Sequence, residues 1–204
     1  MDYEEDIRKA AKRAKRGIDR AIESLRRGLV RREDDLSGVL KGSLDAELEG
    51  TIGALTWDCT IVNHGSGQAA QEKEFGADIL IHVRFDTDEL KYNKGVLVQA
   101  KRLEAGERMP SGPHQKLVEQ CNDMLKHTPA AFVFVYSNTG MRCGSASAIA
   151  GSHNRDLNDQ SAWTSYRFFL ELFRCPIGDP NIVTPYPEDL RVKTTAKMRA
   201  MSHS

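Results

Sequence analysis

Gly76-Ala77-Asp78-Ile79-Leu80-Ile81-His82-Val83-Arg84-Phe85 and, after a polar connection, Gly95-Val96-Leu97-Val98-Gln99-Ala100-Lys101 are the two stretches on which the fold turns. Each is a β-branched apolar run opened by glycine, which is the signature of a strand. The polar stretch 86–94 between them is of hairpin type. On the second strand Gln99 and Lys101 lie two residues apart and share a face, while Ala100 turns the other way. If the strands pair as a hairpin, Asp78 reaches the same edge, and an acid, an amide and an amine converge. A carboxylate beside an amide oxygen and a backbone carbonyl suits Mg²⁺ or Mn²⁺. A neighbouring lysine is placed to hold or deprotonate a water, or to neutralise charge developing on a phosphate oxygen.

Working outward, 113–127 reads as an amphipathic helix with Leu117, Val118, Cys121, Met124 and Leu125 inward, and 130–136 as an uninterrupted apolar strand buried on both faces. Upstream, 57–62 is strand-like and 63–67 a turn. Residues 43–55 suggest a short helix with Leu44, Leu48, Ile52 and Leu55 on one face, and 31–42 reads as a linker with a helical start, containing Gly38 and Gly42. The order is helix, three strands, helix, strand. Beyond it, 141–160 is small and polar, a loop with a short helix near 145–150. The aromatic run 166–175 is strand or helix and stops at Pro176; Pro180, Pro185 and Pro187 break further regular structure, and the last dozen residues look frayed.

The 204 residues are 40% hydrophobic and 28% charged, which fits one globular domain with a sizeable core and excludes a wholly disordered or collagenous chain. No apolar run has the length of a membrane span, and the charged start Met1-Asp2-Tyr3-Glu4-Glu5-Asp6 is unlike a secretory signal, so the cytoplasm is the expected compartment. Four cysteines without a CxxC pair read as reduced structural thiols. The zero net charge conceals a segment: 7–32 carries eleven Lys or Arg against Asp19 and Glu23. There Ile7, Ala11, Ala14, Ile18, Ile22, Leu25 and Leu29 recur at helical steps, describing a helix of about seven turns with one narrow apolar stripe. Its stripe reads as a packing seam beneath a solvated charged face, or as a docking or self-association face, and its basic residues, Arg26, Arg27, Arg31 and Arg32 among them, suggest contact with phosphates. The expected organisation is a basic amphipathic helix over 1–35, a core domain over 36–180 and a Pro-containing tail over 181–204.

Gly76-Ala77-Asp78-Ile79 followed by Val98-Gln99-Ala100-Lys101, in that order of elements, resembles the PD-(D/E)xK nuclease superfamily, and most of all its Mrr-like and defence-associated D...QxK branches. The resemblance covers residues 44 to 136. It implies a restriction-endonuclease-like α/β core of order α-β-β-β-α-β, a mixed sheet flanked by helices. It also implies Mg²⁺- or Mn²⁺-dependent hydrolysis of DNA phosphodiesters by Glu49, Asp78, Gln99 and Lys101, with Glu49, Asp78 and Gln99 on the metal. In the family an upstream helical Glu completes the site, and Glu49 is preferred here to Glu47. Ala77 stands where the parent pattern has Pro, and Gln99 replaces an acid, removing one negative charge. Gln115 and Glu119 on the following helix are candidate accessory residues, and Lys116 a candidate phosphate contact. The implied partners are DNA and either a second copy of the chain or a defence complex, with no membrane. A non-catalytic nucleic-acid-binding or scaffold protein on the same fold is the alternative, since the Gln substitution permits it.

Overall fold

The structure, a computed structural model, describes residues 3–30, 33–48, 52, 55–62, 75–88, 91–174 and 176–190. Helix α1 (Tyr3–Arg26) opens with Glu4, Glu5 and Asp6 and ends in Arg26, charges that complement its dipole. Helix α2 spans Glu33–Leu48 and lies along α1. The linker expected over 31–42 is therefore largely helical. Leu36, Leu40, Leu44 and Leu48 recur every fourth residue and are all buried. That stripe outweighs the weak helix propensity of Gly38 and Gly42, whose Cβ positions face open space. Ile52 and Leu55 do not continue the helix as expected, but exchange backbone hydrogen bonds with each other (3.2 and 3.1 Å) at the entry to β1.

Six strands follow in spatial order β1 to β6: β1 (Leu55–Ile61), β2 (Ile79–Asp86), β3 (Lys91–Arg102), β4 (Ala131–Ser137), β5 (Gly140–Ser145) and β6 (Trp163–Thr164). The pairings are antiparallel except β3 with β4. That parallel pair needs a crossover, and α3 (Ser111–His127) supplies it. The chain is thus a mixed α/β domain. Strand β3 starts earlier than expected, leaving 87–90 as the connection, because Tyr92 and Lys94 pack inward in spite of their polar neighbours. Strand β5 lies where a loop was expected. Its sequence Gly-Met-Arg-Cys-Gly-Ser has no strand propensity to speak of, and pairing with β4 holds it extended. The short helices α4 (Ala146–Ala150) and α5 (Leu157–Gln160) follow, and the aromatic run resolves as helix α6 (Ser165–Arg174).

Alternation along the strands divides the core in two. Ile79, Ile81, Val96, Val98, Ala100, Phe134 and Tyr136 face the layer of α1, α2 and α6, where Phe134 meets Phe168 edge-on at 4.9 Å. Leu80, Leu97, Val133 and Val135 face Leu117, Cys121 and Met124 of α3 and Ile149 of α4. The stripe of α1 is no free docking face. Ile7, Ala11, Ala14, Ile18, Ile22 and Leu25 are buried within the chain itself, and of the stripe only Leu29 is exposed, at 74%. Gly17 permits the close packing on α2, since a Cβ there would approach Ser43 O to 2.8 Å. The beginning of the expected tail is also packed: Ile182 and Leu190 are buried, and Asp179 exchanges backbone hydrogen bonds with Gly95.

Candidate functional site

The pairing Ile79 with Val98 sets the register that puts Asp78 across from Gln99, and Asp78 N donates to Val98 O at 2.9 Å. Both side chains are buried, at 5% and 2% exposure. Asp78 Oδ2 accepts from Ala100 N at 2.8 Å and from Gln99 Nε2. The same Gln99 amide nitrogen donates to Ala100 O at 3.2 Å, while Gln99 Oε1 is buried without a hydrogen-bond partner. Two oxygens therefore meet the amide nitrogen, one of a carboxylate and one of a backbone carbonyl, and the amide's own oxygen is left unpartnered.

Lys101 is half-buried and follows Gln99 on the same face of β3. Its ammonium lies close enough to α3 to offset part of the desolvation that pushes the Cys121 thiol up to about 12. From Lys101 a groove runs over Arg102, Leu103, Met109, Pro110, Pro113 and Lys116, with a cationic rim and an apolar floor. Asp78, Gln99, Lys101 and Lys116 thus share one side of the sheet, the side α3 covers.

The backbone that delivers Asp78 depends on Gly76. Its φ is +65°, and a Cβ there would lie 2.2 Å from Gln120 O on α3. An alanine must adopt an unfavourable conformation and push apart two backbones. Gly76→Ala is expected to destabilise the fold by about 2–4 kcal/mol in chemical denaturation, larger than the cost of the positive φ alone. A loss under about 0.5 kcal/mol would mean that the approach to Asp78 is adaptable.

Other candidates fall elsewhere. Glu49, Arg31 and Arg32 lie outside the described residues. The carboxylate of Glu47 is taken by α1: Arg16 Nη2 and Arg20 Nη2 approach it at 2.9 and 2.6 Å, so Glu47 clamps the two helices. Arg26 and Arg27 belong to the layer opposite Lys101. Both pair with Glu23, and Arg26 also donates to Asn138 O. Gln115 and Glu119, expected as accessory residues, sit on the exposed face of α3 and bond to one another at 3.4 Å. The inward polar residues of that helix are His114 and Gln120, both 8% exposed, with His114 Nε2 and Gln120 Oε1 unpartnered. The sequence signal for His114 was the spacing 114, 117, 121, 124, a single helical stripe that His114 opens. His82 is a packed histidine, its Nε2 against Asn93 Oδ1.

Among the described residues no three His, Cys, Asp or Glu side chains gather as a metal cluster, and no helix is long and apolar enough to cross a membrane. Cys59, Cys121 and Cys143 are free thiols, and burial pushes Cys59 up to about 12, so it is a core residue rather than a nucleophile. No family model and no curated protein matches the chain.

Proposed function

We propose that this chain is a divalent-metal-dependent endonuclease of the PD-(D/E)xK type that hydrolyses DNA phosphodiesters in a prokaryotic defence or restriction role. The observation that carries the reading is the meeting of Asp78 Oδ2 and Ala100 O on the buried Gln99 amide, whose own oxygen has no partner, with Lys101 next along the same face. The order α2, β1, β2, β3, α3, β4 in a mixed sheet agrees with the order the resemblance implies. Oxygen ligands suit a hard cation, and of these Asp78 Oδ2 and Ala100 O accept from the Gln99 amide nitrogen while Gln99 Oε1 is buried with no hydrogen-bond partner in the protein. Asp78, Gln99 and the Ala100 carbonyl would hold Mg²⁺ or Mn²⁺, with Glu49 as the fourth contributor. A cation there supplies an activated water and polarises a phosphate oxygen. Asp78 provides the fixed charge, Gln99 orients, and Lys101 holds the attacking water or balances charge on the phosphoryl oxygens. Arg102 and Lys116 on the groove rim receive the flanking phosphates.

With only one described carboxylate in the site, metal binding without DNA is expected to be weak and strengthened by substrate phosphate. Plasmid nicking is therefore expected in Mg²⁺ or Mn²⁺ and absent with excess EDTA or with Asp78→Ala. Robust cleavage in EDTA would refute the metal-dependent reading. DNA binding without cleavage by the intact chain in Mg²⁺ and in Mn²⁺ would instead favour a non-catalytic binding protein on this fold, a reading that the neutral Gln99 supports.

A further inference from the structure

Helix α1 is held to the domain by its apolar stripe, and its opposite face is turned to solvent. Between residues 8 and 20 that face carries seven Lys or Arg against one acid, Asp19, and all eight side chains are exposed. Neighbouring acids neutralise only part of it. Arg8 pairs with Glu4, Lys9 with Glu5 and Lys15 with Asp19, while Arg16 and Arg20 share the single carboxylate of Glu47 and stay more than half exposed. Lys12 and Arg13, in the middle of the face, meet no acid among the described residues. Arg8 with Lys12, Lys9 with Arg13 and Lys12 with Arg16 also stand four residues apart, like-charge pairs that weaken a helix. The fold gains nothing from this arrangement, and an external anion does. We infer that the outward face of α1, centred on Lys12 and Arg13, is a second docking surface, sequence-independent, for the phosphate backbone of a nucleic acid.

Charge and shape select this partner over other anions. From Lys9 to Arg20 the helix runs about 16 Å at roughly 1.5 Å per residue. Over that length a duplex presents about ten charges, one per roughly 1.7 Å of its axis. A bilayer is a poor match, because the stripe that would enter it is buried within the chain and no aliphatic or aromatic side chain is exposed between residues 8 and 20. The same lack removes the apolar anchors on which a protein partner depends. Flanked by α2 and α6, α1 does not stand out from the domain as a helix that enters a groove must, so it meets the backbone and not the base edges. The surface lies across the sheet from Lys101 and Lys116. It uses none of the residues of the metal-site reading, and either can fail without the other.

The test is fluorescence anisotropy of labelled duplexes of two unrelated sequences, with the full-length chain in EDTA at two salt concentrations. Lys116→Glu first weakens the groove on the α3 side, so that the remaining affinity reports α1. In that background Lys12→Glu with Arg13→Glu is expected to lower affinity at least tenfold for both sequences. It is also expected to flatten the salt slope by about 2, since each lost phosphate contact contributes about 0.9. The melting temperature is expected to stay unchanged. Arg84→Glu with Lys91→Glu, exposed cations on the β2–β3 hairpin, makes the same change in net charge and is expected to cost less than threefold. An equal loss in this control would reduce the effect to net charge and overturn the inference. So would an α1 variant that binds duplex as its Lys116→Glu parent does, or a Lys116→Glu chain that binds no duplex at all. Vesicles of phosphatidylserine and phosphatidylcholine test the lipid alternative: if the α1 variant keeps its grip on duplex and loses only the vesicles, the face belongs to a membrane surface and the nucleic-acid assignment falls.

Discussion

Lys101→Ala is expected to lower phosphodiester cleavage by about a hundredfold or more while leaving DNA affinity nearly intact, as befits a group that acts on water or transition-state charge. Three observations support so local an effect. Lys101 shares a strand face with Gln99, its ammonium is felt by the buried Cys121 thiol, and it forms the inner end of the groove that Arg102 and Lys116 rim. Lys116→Ala is the contrasting variant. Exposed on α3, it is expected to weaken binding uniformly across sequences and flatten the salt dependence of affinity, with turnover of bound DNA preserved. Single-turnover cleavage separates the two, alongside anisotropy measured at two salt concentrations in EDTA. Full activity in Lys101→Ala would remove the lysine from the mechanism. Gln99→Glu is expected to retain cleavage, since it restores an acid to the site.

The strands around the site were legible because their signals are local. Two β-branched runs and an apolar run buried on both faces give β2, β3 and β4, and alternation alone puts Gln99 and Lys101 on one face. The fate of the other charged residues was not local. Glu47 reads as an ordinary helix carboxylate until α1 is laid beside α2 and two arginines from that helix, Arg16 and Arg20, close on it. Gln115 and Glu119, one turn apart, were candidates because the resemblance implies accessory polar residues on this helix; the rotation of α3 is set by Leu117, Cys121 and Met124, which turn that pair to solvent and bring His114 and Gln120 inward. Strand β5 escaped notice because its stability comes from its neighbours in the sheet rather than from its own residues.

Deleting residues 1–30 is expected to abolish cooperative folding rather than merely to change assembly. A basic amphipathic helix at a chain end invites the idea of a detachable arm, and the burial of its stripe argues against it. Ile7, Ile18, Ile22 and Leu25 are each under 10% exposed, against α2, α6 and the sheet beneath. At about 1.5–3 kcal/mol per buried aliphatic side chain, these four contribute roughly 6–12 kcal/mol. That is the size of the whole stability of a typical domain, about 5–15 kcal/mol. The deletion also leaves Leu36, Leu40 and Leu44 of α2 uncovered, so the expected product is insoluble or lacks a thermal transition. The basic residues of α1 are not equivalent either. Arg16→Glu with Arg20→Glu sets two acids against the nearly buried Glu47 and is expected to lower the melting temperature, whereas Lys12→Glu with Arg13→Glu, both exposed, is expected to leave it unchanged. Circular dichroism melts and size-exclusion mass measure all three variants. A truncated chain that stays soluble and unfolds in one sharp transition would mean that the sheet and its remaining helices form the folding unit by themselves, with α1 an attachment to it.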